Sequence, residues 1–439
     1  MNILYALALV ASSPIWLMRM FRHGKYRRDF SQRLGLSPRL YGLQPVIWIH
    51  GVSVGEVNAA KALVAEIHSQ LPDYRVVITS TTDTGLAAAE RLFAPAHRVF
   101  RWPMDFTFAV SAAVRRVRPG MVILTEGDVW PNFVRECRRR KIPVLIVNAR
   151  LGPRKGFPRY RLVRPLAGRL FNSLTAIGVQ HETYAEMFRS LGVREEKLFV
   201  TGMMKYDTAE IAGGVAGTDA LAAAIGISPD DKLLVAGGTG RGEEQIVLDA
   251  FAEVIREHPG VRLAIVPRKP ERFDEVARLI STCGFTLIRR SEHLEESSKE
   301  LPAGAIILGD TMGELRKFYA LAYAVFVGRS LVPEGGSDMI EAAALAKPVA
   351  FGPHTFNFPQ AETMVAAGCA RRVADTGELA GVWTGWLDNP AVAADMGGDA
   401  RQFVQSQTGA TRRNVELICR ILGRNPPLAP GGVATDMIR

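Results

Sequence analysis

Cysteine is scarce in this chain and is nowhere arranged for chemistry. The four residues, Cys137, Cys283, Cys369 and Cys419, are scattered, with no C-x-x-C pair and no metal-ligand spacing. That pattern excludes a disulfide framework and a zinc ribbon, and it fits reduced thiols in a cytosol. Acidic residues are outnumbered, 44 against 54 basic ones, leaving a formal charge of +10. Such an excess favours partners that carry phosphate or an anionic surface. No helix-turn-helix, zinc-finger or RNP-like pattern accompanies it, so nucleic acid is not the expected partner. A dinucleotide fingerprint is also missing. Gly51 to Gly55 after the first predicted strand does not fit G-x-G-x-x-G, which removes the dehydrogenase reading. With 48% hydrophobic and 22% charged residues the chain is not disordered, and 439 residues favour two domains over one.

Long apolar runs are absent except at the start. Ile3 to Met18 is almost wholly apolar, and Arg19, Arg22, Lys25, Arg27 and Arg28 follow it. A secretory signal carries its charges before the run, not after it, and Pro14 interrupts a stretch already short for a span. The expectation is a membrane-associating segment over residues 1–42, held on an anionic surface by its basic cluster. The globular body then lies on the cytoplasmic face of the inner membrane.

From Val46 the pattern is regular α/β. Strands are expected at 46–50, 75–79, 121–125, 144–147 and 176–179, alternating with helices. A second series is expected at 233–236, 262–266, 305–308, 320–327 and 349–351. Strand and helix alternating at this interval mean βαβ units and parallel sheets. The fold expected is therefore α/β with two Rossmann-like domains, over 43–208 and 231–424. An Ala- and Gly-rich linker is expected at 209–230 and an unstructured tail at 425–439, with a substrate cleft between the domains.

In such sheets, the loops at the carboxyl ends of strands make the site. His50, Ser53, Glu56, Thr81, Thr82, Glu126 and Asp128 fall in loops of that kind. Glu56 opens a helix in a glycine-flanked turn, where a glutamate either complements the helix dipole or serves as a general base. Glu126 and Asp128 form a second acidic cluster, as sugar chemistry often uses. In the second series, Gly335 to Phe358 gives a glycine-rich turn into a helix expected from about Met339 to Ala346. Free N–H groups there suit a phosphate, and Asp338 and Glu341, one turn apart, suit ribose hydroxyls. Arg268 follows a strand end and suits bidentate pairing with an anion.

Seven stretches in order carry a family resemblance: HGVSVGE (50–56), TEGDVWPN (125–132), NARLG (148–152), TGMMKYD (201–207), VPRKPER (266–272), GDTMGEL (309–315) and GPHTFNF (352–358). Together they resemble the Kdo transferases, which move 3-deoxy-D-manno-octulosonic acid from CMP-Kdo to the lipid A precursor. The resemblance implies a GT-B fold with the acceptor in the first domain and the CMP-sugar donor in the second. It implies Glu56 as base, with Glu126 and Lys205 stabilising the transition state. CMP would be held at Pro267, Arg268, Met312, Gly313, Glu314, Asp338, Met339, Ile340 and Glu341. No cofactor and no metal are implied. The chain departs from the family pattern at Ser337–Asp338, where His–Asn is more usual, and at Gly240–Arg241, where His–Glu is. Another GT-B enzyme using a UDP-sugar is the alternative, and a non-catalytic membrane-surface protein a further one.

Overall fold

The computed structural model describes residues 2–14, 18, 22, 29–152, 156–208, 214–293, 302 and 304–424. Two compact units divide it. One comprises residues 1–208 together with 408–439, and the other residues 209–407.

The first unit is built on seven strands: β1 (Val46–His50), β2 (Arg75–Ser80), β3 (Arg98–Arg101), β4 (Pro119–Thr125), β5 (Val144–Ala149), β6 (Ala176–Val179) and β7 (Leu198–Val200). Their order is β3-β2-β1-β4-β5-β6-β7, and every pairing is parallel. β1 reads Val-Ile-Trp-Ile-His and is buried at all five positions. A strand covered by helices on both faces needs such a continuous apolar run. Alternate residues feed two cores. Trp48 faces Phe100, Trp102 and Phe133, with ring centroids 5.2–5.7 Å apart. Ile47 and Ile49 face the other way, onto helix Val54–Gln70.

The second unit repeats the plan with β8 (Leu233–Thr239), β9 (Arg262–Pro267), β10 (Leu287–Arg289), β11 (Ile306–Leu308), β12 (Ala324–Val327), β13 (Val349–Phe351) and β14 (Arg371–Arg372). The order is β10-β11-β9-β8-β12-β13-β14, again wholly parallel. In both sheets the direction of winding reverses beside the first strand: between β1 and β4, and between β8 and β12. The crevice outside the carboxyl ends at such a point is where open α/β sheets take their ligands.

Four expectations change. The segment 209–230 is not all linker: helix Thr218–Ala224 buries Leu221 and Ala224 and packs in the second unit, while 209–213 lie outside the described residues. Residues 320–321 end helix Leu315–Leu321, so β12 begins only at Ala324. The closing helix Ala410–Ile421 belongs to the first unit, where Val415, Leu417 and Ile418 join the core under helix Val54–Gln70. The helix expected from Met339 to Ala346 is five residues long, Ile340–Ala344.

At the start of the chain, helix Asn2–Ala11 rests on the first unit. The Asn2 side chain bonds Thr107 and Asn132, and the Tyr5 ring meets Phe106 edge-on at 6.2 Å. Ile3, Leu7 and Val10, spaced along one stripe, are exposed. Among the described residues no helix is long and apolar enough to cross a membrane. Of the basic cluster, Arg19, Lys25, Arg27 and Arg28 lie outside the described residues, as does the tail 425–439.

Candidate active site

At the first reversal point β1 ends at His50, and three residues carry the chain into helix Val54–Gln70. Ser53 caps that helix in a reciprocal box. Its Oγ accepts from the Glu56 N–H, and the Glu56 carboxylate accepts from the Ser53 N–H. Glu56 is buried. Oε1 accepts from Ser53 Oγ at 2.8 Å, and Oε2 accepts from the Val52 N–H at 2.8 Å. Thr125, the last residue of β4, places Oγ1 3.3 Å from Oε2. Despite these donors the carboxyl is pushed up to about 6, first by burial and then by the charges of Glu126 and Asp128. A capped, buried glutamate close to neutrality can take a proton without moving.

The loop that supplies those donors is braced from β2. Thr82 Oγ1 and Ser80 Oγ both donate to the Val52 carbonyl, at 2.6 and 3.2 Å. His50 is fully buried and stacks on Trp102 at 3.9 Å. Burial drives its pKa down to about 3, so the ring is neutral. Its Nδ1 lies 3.1 Å from the Thr79 carbonyl, which can only accept, so Nδ1 carries the hydrogen. Nε2 then accepts from Thr81 Oγ1 at 3.2 Å. His50 is thus a brace and not an acid.

Glu126 follows β4 in the left-handed region (φ 67°). Its N–H bonds the Val147 carbonyl, and its carboxylate takes Arg150 Nε at 2.9 Å. Lys205 opens the short helix Lys205–Thr208 and is exposed. Four bonds fix that segment. Asn148 Oδ1 accepts the Met204 N–H, Asp207 accepts the Gly409 and Thr411 N–H groups, and Arg413 Nε donates to the Thr201 carbonyl. Asn148 lies next to last in β5, two strands from β1, so the predicted base, the acidic loop and, through this bond, the lysine segment are held at neighbouring strand ends of one sheet.

At the second reversal point the decisive carboxylate opens the helix after β8. Glu243 is fully buried and accepts from the N–H groups of Gly240, Arg329, Ser330 and Leu331. It pins the loop after β8 to the loop after β12. Glu244 beside it takes a bidentate grip from Arg272, at 2.6 and 2.9 Å. Gly335 and Gly336 both have positive φ, and a Cβ on Gly335 would lie 2.1 Å from Asn357 Nδ2. Only glycine fits there, which explains the pairing of GGSD with TFNF. Ser337 Oγ donates to the Gly238 carbonyl at 2.9 Å, and Asp338 Oδ1 accepts the Ile340 N–H at 3.0 Å.

The predicted donor residues converge only in part. Arg268, Asp338 and Glu341 all act electrostatically on the buried Tyr319. Helix Leu315–Leu321, which follows Glu314 directly, packs on helix Ile340–Ala344. Met312 is an exposed tip, and Gly313 beside it has φ +86°. Pro267 closes β9 in the interior, as do Met339 and Ile340 at the start of their helix, so those three shape the site by packing. Glu314 accepts from Thr311, Arg290 and Lys317, and these bonds outweigh burial to hold its carboxyl below the usual range. Its side chain is therefore engaged within the protein. Among the described residues no cluster of three or more His, Cys, Asp or Glu is arranged to hold a metal ion.

Two parallel seven-stranded sheets with polar loops at each reversal point make a fold of the GT-B type. A glycosyltransferase of Rickettsia africae shares the fold, with TM-score 0.62 and 13% identity, covering 87% of this chain and 99% of that one. The particular family follows from sequence. Residues 28–208 match the family described as 3-deoxy-D-manno-octulosonic-acid transferase (kdotransferase). The 3-deoxy-D-manno-octulosonic acid transferase of Bordetella pertussis is 32% identical, over 95% of this chain and 99% of its own. That of Haemophilus influenzae is 31% identical, over 91% and 93%. The chain belongs to this family of transferases.

Proposed function

We propose that this protein transfers 3-deoxy-D-manno-octulosonic acid from CMP-Kdo to the lipid A precursor during lipopolysaccharide biosynthesis. The observation that carries the reading is Glu56, a buried carboxyl raised to about 6 at the reversal point of the first sheet, in a chain related to these transferases along nearly its whole length. Glu56 takes the proton of the acceptor's primary hydroxyl as that oxygen attacks the anomeric carbon, and CMP leaves with the bonding pair. The reaction inverts the anomeric centre. Glu126, steadied by Arg150, and Lys205, on its braced segment, stabilise the charge that develops. In the second unit Arg268 and the backbone N–H groups of the 312–314 and 335–339 turns receive the CMP phosphate, and Asp338 and Glu341 its ribose. No metal takes part in this scheme.

The exposed stripe of Ile3, Leu7 and Val10 supports a place on the cytoplasmic face of the inner membrane, with that helix lying in the interface. Deleting residues 1–18 should weaken binding to anionic vesicles, and salt should remove what remains.

The test of the reaction is incubation of the full chain with CMP-Kdo and a tetraacyl lipid A precursor, followed by mass spectrometry of the lipid. The expected product gains one or more Kdo masses. An unmodified lipid, or transfer from a UDP-sugar instead, would overturn the reading.

A further inference from the structure

Thr125 and Glu56 meet across Gly51, where the ends of β1 and β4 lie side by side. A Cβ on Gly51 would stand 3.2 Å from Thr125 Oγ1 and 3.3 Å from Glu56 Cβ, so any larger residue there would press on both. Both residues are buried, Thr125 to 2% exposure. Thr125 Oγ1 has two oxygen neighbours: the His50 carbonyl at 2.8 Å and Glu56 Oε2 at 3.3 Å. A hydroxyl has one hydrogen and two lone pairs. The carbonyl can only accept and is the nearer, so the hydrogen goes to His50, and a lone pair of Thr125 is left facing Oε2.

The two oxygens of Glu56 are therefore unequal. Oε1 is met by two donors, Ser53 Oγ and the Ser53 N–H. Oε2 is met by one donor, the Val52 N–H, and by an acceptor. A lone pair against a carboxylate oxygen repels it; the same lone pair accepts a hydrogen bond from a carboxylic acid. We infer that Thr125 is a positioning residue for the transfer reaction: its hydroxyl, held by the His50 carbonyl, receives the O–H that forms on Glu56 Oε2 when Glu56 takes the acceptor's proton.

This inference rests on Glu56 being the base. In the step, the acceptor oxygen bonds the anomeric carbon, CMP leaves with the electron pair, and the proton ends on Oε2. There it points at Thr125, whose own hydrogen stays on His50. The other charged groups acting on Glu56 are Glu126 and Asp128, which also favour the protonated acid. His50 is neutral and contributes only its carbonyl. Nothing in the arrangement needs Thr125 to lose a proton.

The experiment is the pH–rate profile for Kdo transfer by the full-length protein and its variants Thr125→Val, Thr125→Ala, Thr125→Ser and Glu56→Gln. Removing the hydroxyl removes the acceptor that favours the acid. In Thr125→Val the acidic limb should move down toward the ordinary carboxylate range, and the plateau should fall several-fold because a weaker base accepts the proton less readily. Thr125→Ser should keep the limb at its wild-type position. Thr125→Ala carries the same expectation as valine if the branched side chain does not fold. A limb that stays put in both hydroxyl-free variants, or moves up, overturns the inference, since an upward move means that the hydroxyl donates to the carboxylate. Glu56→Gln separates the two ideas. If that variant keeps both activity and the limb, the assignment of the base fails first.

Discussion

Asn148 Oδ1 accepts the Met204 N–H at 3.0 Å, joining the end of β5 to the segment that presents Lys205. Asn148 is buried and lies in the left-handed region at φ 55°, a conformation asparagine tolerates better than most residues. Its side chain reaches over fifty positions along the chain to fix the residue before Lys205. Asn148→Ala should lower Kdo transfer while leaving CMP binding unchanged, because the second unit is not altered. It should also lower stability by about 1–3 kcal/mol, the cost of one buried donor left unpaired. Kinetics and urea denaturation read the two effects; unchanged turnover would mean that Lys205 needs no such support.

Glu56→Gln keeps the shape of the capping box but cannot take a proton at neutral pH. Turnover should fall by about 10²–10⁴-fold, the range for losing a general base, with thermal stabilisation by CMP intact. Glu126→Gln keeps a partner for Arg150 and should fall less. The reverse ranking would move the base to the loop after β4.

Burial gives Glu56 a pH signature in stability as well. Its carboxyl rises from 4.5 to about 6 on folding, so the folded state binds its proton more tightly. The stability this contributes is complete below about 4.5 and is lost as pH rises through about 6. The loss amounts to about 2 kcal/mol at 1.36 kcal/mol per unit. Urea melts of wild type and Glu56→Gln across that window should show the glutamine variant gaining by this amount toward higher pH. A constant difference would show a carboxyl with no shift on folding.

Glu243→Ala would strip an acceptor from four backbone N–H groups at once. A loss of at least about 3 kcal/mol is expected, since buried donors left unpaired cost about 1–3 kcal/mol each. CMP should then fail to raise the melting temperature even where the protein remains folded, because the loops after β8 and β12 are no longer joined. Retained stabilisation by CMP would show that the nucleotide does not depend on them.

The strands that pack on both faces were legible in the sequence, because continuous apolar runs such as Val46–His50 and Ala176–Val179 have no other use. The edge strands β3, β7, β10 and β14 were not. Runs of two to four residues, from Arg-Arg in β14 to Arg-Val-Phe-Arg in β3, are too short to carry a periodic signal, and neighbours alone make them strands. Glu56 and Glu126 stood out because carboxylates at strand ends suggest chemistry. Glu243 stood in the same kind of place, yet its role is to hold loops, and sequence offers no way to tell a carboxylate that receives four amides from one that faces a substrate. Thr125 heads its motif with nothing in the sequence to set it apart from any other strand-end threonine. Its importance depends on which oxygen its hydrogen chooses, a matter of tenths of an ångström.

The closing helix Ala410–Ile421 has a genetic consequence. Because it completes the first unit after the second has been made, residues 209–407 are threaded into that unit as an insertion, and the chain crosses between units twice. A stop codon at position 408 would spare every predicted contact to the nucleotide. It would remove Leu417 and Ile418 from beneath the helix that carries Glu56, and the backbone partners of Asp207 beside Lys205. Truncations before Ala410 should therefore behave as lesions of the unit encoded first, the one that carries Glu56. During synthesis, the first unit has no complete core until residues 410–421 have been made.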